Sequence, residues 1–132
     1  MISLDTNVLI RFIVKDDVAQ SRLAAGLINK AKACGHLALV TTLVVLECEW
    51  VLRSAYQYSK AEIISVLERL LEADEIRLEN DPELARALEM WGHSKANFAN
   101  CLILAHSRTL GCSSMYTFDK RASRLASCSL LR

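Results

Sequence analysis

Asp5 follows a short apolar run, Ile2-Ser3-Leu4, and precedes Thr6, Asn7 and the apolar segment Val8-Leu9-Ile10-Arg11-Phe12-Ile13. This pattern predicts a buried strand running into a helix. In an open α/β sheet, ligands bind outside the carboxyl ends of the strands, so a carboxylate at Asp5 is placed to hold a cation. It is equally placed to cap the helix that follows, and the two readings stand side by side. Met115-Tyr116-Thr117-Phe118-Asp119 repeats the theme of a strand ending in aspartate. Parallel strands would bring Asp5 and Asp119 to one sheet edge, and Glu47, near the start of a helix, could join them. Three converging carboxylates repel strongly unless a cation lies among them. Oxygen ligands without Cys or His select magnesium or manganese. Such a centre suits phosphoryl chemistry, because the metal makes hydroxide from water and steadies an in-line displacement.

The elements that must position these residues follow from periodicity and capping. Lys15-Asp16-Asp17 reads as a turn and cap. Ala19, Leu23, Leu27 and Ala31 recur at helical spacing up to the stop at Gly35. Leu37-Ala38-Leu39-Val40-Thr41 predicts a second strand, and Thr42 a cap for a helix to about Ala55. On that helix Leu46 and Trp50 should face the core, with Glu47 beside them and Glu49 in solvent. Ser59-Lys60-Ala61-Glu62 has the form of a capping box before the amphipathic stretch Ile63 to Leu71. Ile76-Arg77-Leu78 is a short strand candidate. Asp81 reads as a cap and Pro82 as the first helical position of a helix through Leu84, Leu88 and Trp91. Phe98 to Leu110 predicts a largely buried helix stopped by Gly111. A short helix around Arg121 to Leu125 and an edge strand, Ser129-Leu130-Leu131, complete the chain. Strands alternating with helices indicate an α/β fold, a central parallel sheet flanked by helices.

At 132 residues the chain is expected to form one domain, 1–132, with one core. A hydrophobic content of 52% argues against disorder. No apolar run approaches the ~20 residues that span a bilayer, and no basic segment precedes the first apolar stretch. A cytoplasmic protein with no membrane partner is expected. The five cysteines (Cys34, Cys48, Cys101, Cys112 and Cys128) are odd in number and lack CxxC spacing, which argues against disulfides or zinc. Charge is uneven although the net is +1. Residues 59–91 carry four basic and nine acidic side chains, and residues 92–132 carry six basic and one acidic. The basic carboxyl-terminal third could face a polyanion or simply solvent.

The motifs together resemble PIN domains. The resemblance rests on Asp5-Thr6-Asn7-Val8-Leu9-Ile10, Glu47, the segment Asn97-Phe98-Ala99-Asn100-Cys101-Leu102-Ile103-Leu104-Ala105, and Thr117-Phe118-Asp119, in order over essentially the whole chain. The nearest subgroup is the VapC-type toxins of bacterial toxin–antitoxin pairs. The resemblance implies a magnesium-dependent endoribonuclease, with manganese an alternative metal. It also implies a homodimer, held inactive by a VapB-type antitoxin whose carboxyl-terminal segment enters the active-site groove. Promoter DNA would be reached only through the antitoxin. Asp5, Glu47 and Asp119 become metal-site acids, and Thr6, Asn7 and Thr117 polar neighbours that orient a carboxylate or water.

The fourth position departs from the pattern, since Asn100 stands where family members usually have aspartate. Asparagine keeps the shape and one carbonyl oxygen but loses the charge and cannot act as a base. Asn97, one turn earlier, offers no substitute. Asn100 could belong to a natural, weakened member or be an engineered Asp→Asn change that permits expression of a toxic nuclease. Either way, weak metal binding and poor cleavage are expected.

Other residues carry ordinary readings beside functional ones. Cys101 adjoins Asn100 but has no histidine partner for nucleophilic chemistry. His36, His93 and His106 lack metal spacing. Trp50, Tyr56, Tyr58 and Trp91 read as core or dimer packing rather than stacking platforms for bases. Arg11, Lys120 and Arg121 could contact RNA phosphates or remain solvated. Two alternatives accompany the nuclease: a non-cleaving module that binds RNA or antitoxin on the same fold, and another magnesium phosphotransfer enzyme. The second lacks a P-loop and has Asn7 where dehalogenase-type phosphatases place a second aspartate.

Overall fold

The computed structural model describes all of residues 1–132. Its elements run β1 (Ile2–Ser3), α1 (Thr6–Val14), α2 (Val18–Ala33), β2 (Ala38–Val40), α3 (Thr42–Ser54), α4 (Lys60–Glu72), β3 (Ile76–Leu78), α5 (Asp81–Gly92), α6 (Phe98–Thr109), β4 (Met115–Thr117) and β5 (Cys128–Leu130), with a 3-10 turn at Ala122–Arg124. The chain divides into two compact units, Met1–Glu79 and Asn80–Arg132.

In the first unit β1, β2 and β3 form a parallel sheet in that order, with Ile2 opposite Ala38 and Ala38 opposite Ile76. Parallel neighbours need long crossovers, supplied by α1 with α2 and then by α3 with α4. The middle strand is the most enclosed, with Ala38 and Val40 fully buried. The core of this unit also contains Leu4, Leu9, Ile28, Leu52, Ile63 and Leu67, all at most 1% exposed. The capping box expected at Ser59 forms. The Ser59 hydroxyl accepts from the Glu62 amide at 3.1 Å and the Glu62 carboxylate from the Ser59 amide at 2.9 Å. Behind it Ile63, Val66, Leu67 and Leu70 are buried, one helical face seated on the core.

Two helices of this unit turn differently from the sequence expectation. On α2 the buried residues are Ala24, Ile28 and Ala31, while Leu23 is 74% exposed and Leu27 is also exposed. Both sets satisfy helical spacing, so α2 carries two adjoining apolar stripes and packing selects one. On α3 the buried set is Val45, Cys48, Glu49 and Leu52. Trp50 is 58% exposed, Leu46 half-buried, and Glu49 only 2% exposed. Glu49 is tolerated because Arg53, one turn on, donates Nε to Oε2 at 2.8 Å, and a paired buried carboxylate escapes most of the desolvation penalty.

In the second unit α5 packs on α6, through Leu84, Ala87, Leu88 and Trp91 on one helix and Cys101, Leu102, Leu104 and Ala105 on the other. The rings of Trp91 and Phe98 lie 5.1 Å apart and tilted by 55°. The cap of α5 is Asn80 rather than Asp81, so Asp81 and Pro82 occupy the first turn. β4 and β5 pair in parallel, Met115 opposite Cys128 and Thr117 opposite Leu130. All strand pairs are therefore parallel, as expected. They belong to two sheets, however, so Asp5 follows a strand of one and Asp119 a strand of the other. β1 is two residues long and its ladder bonds go to β2.

Helices α2 and α6 end alike. Gly35 and Gly111 adopt φ of 78° and 92°. In each case the glycine amide and the next amide close back onto the last turn: Gly35 to Lys32 and His36 to Ala31, Gly111 to Arg108 and Cys112 to Ser107. This is the Schellman arrangement, which favours a residue without Cβ at the left-handed position.

Candidate functional site

Asp5 stands in the turn between β1 and α1. Its Oδ1 accepts from the Val8 amide at 3.0 Å, capping α1, and the side chain is exposed. Capping and ion holding are thus compatible, because one carboxylate oxygen is used and the other is free. Thr6 is buried beneath the turn, and Asn7 is exposed beside it. Asp5, Asn7, Val8 and Arg11 line a pocket of about 320 Å³ whose far wall is Gln20, Leu23, Ala24 and Leu27 of α2. The leucines that left the core therefore border the candidate acid.

Glu47 lies in the second turn of α3, exposed. Its neighbour Cys48 is fully buried; burial, and then the adjacent Glu49, push its thiol up to about 12. Arg11 is held by protein groups. It donates Nε to Gln20 at 2.6 Å, and Nη1 to Asp16 at 3.0 Å and to the Tyr56 hydroxyl at 2.9 Å. Tyr56 in turn donates to Asp16 at 3.1 Å. Lost hydration works against it, but the hydrogen bonds of Tyr56 and the Arg11 charge hold the Asp16 carboxyl below its usual range. Tyr56 is thus a polar hub joining α1, the turn before α2 and the exit of α3, a role its sequence context did not signal.

In the second unit the turn after β4 repeats the Asp5 geometry. Asp119 Oδ1 accepts from the Ala122 amide at 2.8 Å, opening the 3-10 turn, and Thr117 Oγ1 accepts from the Asp119 amide at 3.0 Å. Thr117 therefore orients the backbone that carries the acid. Asn97 caps α6 by accepting from the Asn100 amide at 2.8 Å. That leaves the half-buried Asn100 side chain uncommitted in the first helical turn. Lys120 and Arg121 are exposed and form no ion pair. Cys101 is fully buried, which removes it as a nucleophile.

Glu83, which no sequence signal marked, is 2% exposed. His106 Nδ1 lies 3.0 and 3.1 Å from its two oxygens, and Asn80 Nδ2 donates to it at 3.3 Å. His93 Nδ1 meets the Glu89 carbonyl at 2.9 Å. Both histidines thus have the satisfied roles that their lack of metal spacing suggested.

The candidate donors are all hard oxygens, which suit magnesium or manganese in kind. No three His, Cys, Asp or Glu side chains are grouped to hold a metal ion. What each unit provides is a strand-end aspartate with one oxygen fixed by a helix amide and one oxygen free. No helix is long and apolar enough to cross a membrane.

Comparison with known proteins gives this arrangement a class. The PIN domain family model matches residues 2–127, and the chain belongs to the PIN domain family. It is also similar to a protein named VapC ribonuclease from Aquifex aeolicus (strain VF5), with 21% identity over 122 residues, 92% of this chain and 90% of that protein.

Proposed function

We propose that this chain is a VapC-like, metal-dependent endoribonuclease of a toxin–antitoxin pair, acting in the cytoplasm and weakened at Asn100. The observation that carries the reading is the repeated turn at Asp5 and Asp119. In each, a helix amide holds one carboxylate oxygen and leaves the other free. Membership of the PIN family and the similarity to a VapC ribonuclease support it. Asp5, Glu47 and Asp119 would hold magnesium or manganese, with Asn100 as a neutral fourth donor. When bound, the cation supplies an activated water and neutralises charge at the scissile phosphate. The chain's own contribution is to fix the acids. Thr117 and the amides of Val8 and Ala122 set two of them before substrate arrives, so little reorganisation is left for the reaction. A VapB-type antitoxin would hold the enzyme inactive, and a homodimer is the proposed assembly.

The test incubates the chain, and its Asn100→Asp variant, with cellular RNA, with and without magnesium. The expected result is cleavage by the variant that chelator abolishes and little by the chain as it stands. Robust magnesium-dependent cleavage by the unaltered chain would overturn the assignment of Asn100 as an impairing residue. Absence of cleavage by both, in folded protein, would favour a non-cleaving module that binds RNA or antitoxin.

A further inference from the structure

Two aromatic rings in the second unit lie in solvent. Burial alternates along β4 and past its end: Met115 half-buried, Tyr116 exposed, Thr117 half-buried, Phe118 exposed. Tyr116 is 67% exposed and Phe118 77%, and neither ring packs against another. Tyr116 stands on β4 and Phe118 two residues on, in the bend just past the strand. Each ring therefore offers its own face to solvent. Opposite Tyr116 on β5 is the exposed Ser129, and the exposed Leu131 donates its amide to the Thr117 carbonyl.

Exposed rings of this size are costly to leave in water unless something covers them, and the surrounding charge indicates what. Phe118 is followed by Asp119 and then by Lys120 and Arg121; Arg124 lies in the next turn, and all three cations are exposed and unpaired. Residues 92–132 carry six basic side chains against the single acid Asp119. The basic surroundings favour a polyanion over an apolar protein partner. Aromatic faces interleaved with cations are instead the composition that grips single-stranded nucleic acid, where bases stack on rings and phosphates meet the charges.

We infer that Tyr116 and Phe118 form a stacking platform for unpaired bases of an RNA strand whose backbone is held by Lys120 and Arg121. This rests on the nuclease reading and narrows it. The substrate segment is unpaired, because in a duplex the faces of the bases are already covered by their neighbours. The platform binds and orients RNA and takes no part in bond making. Phe118, next to Asp119 in the chain, sets the position of one base relative to that acid.

The test is binding in the presence of chelator, which separates it from cleavage. A short fluorescent oligoribonucleotide without secondary structure, and the same sequence as a duplex, are titrated with the chain and its variants and followed by anisotropy. Phe118→Leu and Tyr116→Leu keep apolar bulk but lose the ring, and each should weaken single-strand binding about ten- to a hundredfold. Phe118→Trp and Tyr116→Phe should preserve it, and duplex binding should not change. Lys120→Ala with Arg121→Ala should weaken both probes and flatten the dependence on salt. Unchanged single-strand affinity in the leucine variants would overturn the platform. So would a change of oligomeric mass in those variants with RNA binding intact, which would make the rings a contact between copies. Ring-dependent RNA binding together with failure of the Asn100→Asp variant to cleave would retain the platform and discard the nuclease. Cleavage that ignores both rings would do the reverse.

Discussion

Single side chains here act mainly through which partner they hold. The Glu62 carboxyl lies below its usual value near 4.5, because the Ser59 amide and then the Ser59 hydroxyl favour its charged form. A depressed folded value means that Glu62 stabilises the native state above about pH 4.5 and loses that effect as pH falls through the folded value. The melting temperature of Glu62→Gln should therefore lie below that of the parent at neutral pH, and the gap should close on acidification below 4.5. A gap that stays constant with pH would mean the carboxylate charge contributes nothing. Cys48 makes a second case. A thiol pushed up to about 12 by burial has almost no thiolate at neutral pH, whereas Cys34 and Cys112 are exposed. A thiol reagent should label Cys34 and Cys112 in native protein and reach Cys48 only on unfolding, which peptide mapping would show.

At the level of elements, helix ends and helix faces carry the stability. Gly35 occupies a left-handed conformation in open space, so Gly35→Ala meets backbone strain without a clash. It should cost about 1 kcal/mol in chemical denaturation, and Gly35→Asn less, since asparagine tolerates that region. Phe98 opens α6, is 1% exposed, and meets Trp91 at 5.1 Å. Phe98→Ala should destabilise the protein by about 3–5 kcal/mol, read from the shift in denaturant midpoint. Because Asn97 caps this same helix end, loosening the first turn would also loosen the seat of Asn100. Leu23 and Leu27 belong to the same scale. A second apolar stripe on α2, beside Asp5 in the pocket, is surface that folding did not require.

For the molecule as a whole, metal binding should appear as stability. A ligand that binds only the native state adds RT ln(1 + [L]/Kd), about 2.7 kcal/mol when its concentration is a hundred times Kd. Magnesium should raise the melting temperature of the Asn100→Asp variant more than that of the parent, since a fourth carboxylate adds charge to the proposed donor set. Equal responses in calorimetry would place Asn100 outside the metal environment. A match of the PIN family model to residues 2–127 covers both compact units.

The sequence by itself determined what is local. Strand-then-aspartate at Asp5 and Asp119, the Ser59 capping box and the glycine stops at 35 and 111 follow from backbone chemistry over a few residues, and the structure has them; the parallel pairing of the strands was legible only through the alternation of strands with helices along the chain. The tertiary structure decided which of two equivalent faces a helix buries. Periodicity cannot separate Leu23 and Leu27 from Ala24 and Ile28, or Trp50 from Glu49, because neighbouring stripes differ by only 100° of rotation. Trp50 in solvent and Glu49 in the core invert the ranking by hydrophobicity, and the Arg53 partner makes that inversion affordable. The Glu83–His106 pair and the Tyr56 hub join residues 23 and 40 or more positions apart. Such contacts leave no trace in local pattern, since only the packing of separate elements brings their polar atoms within hydrogen-bonding distance.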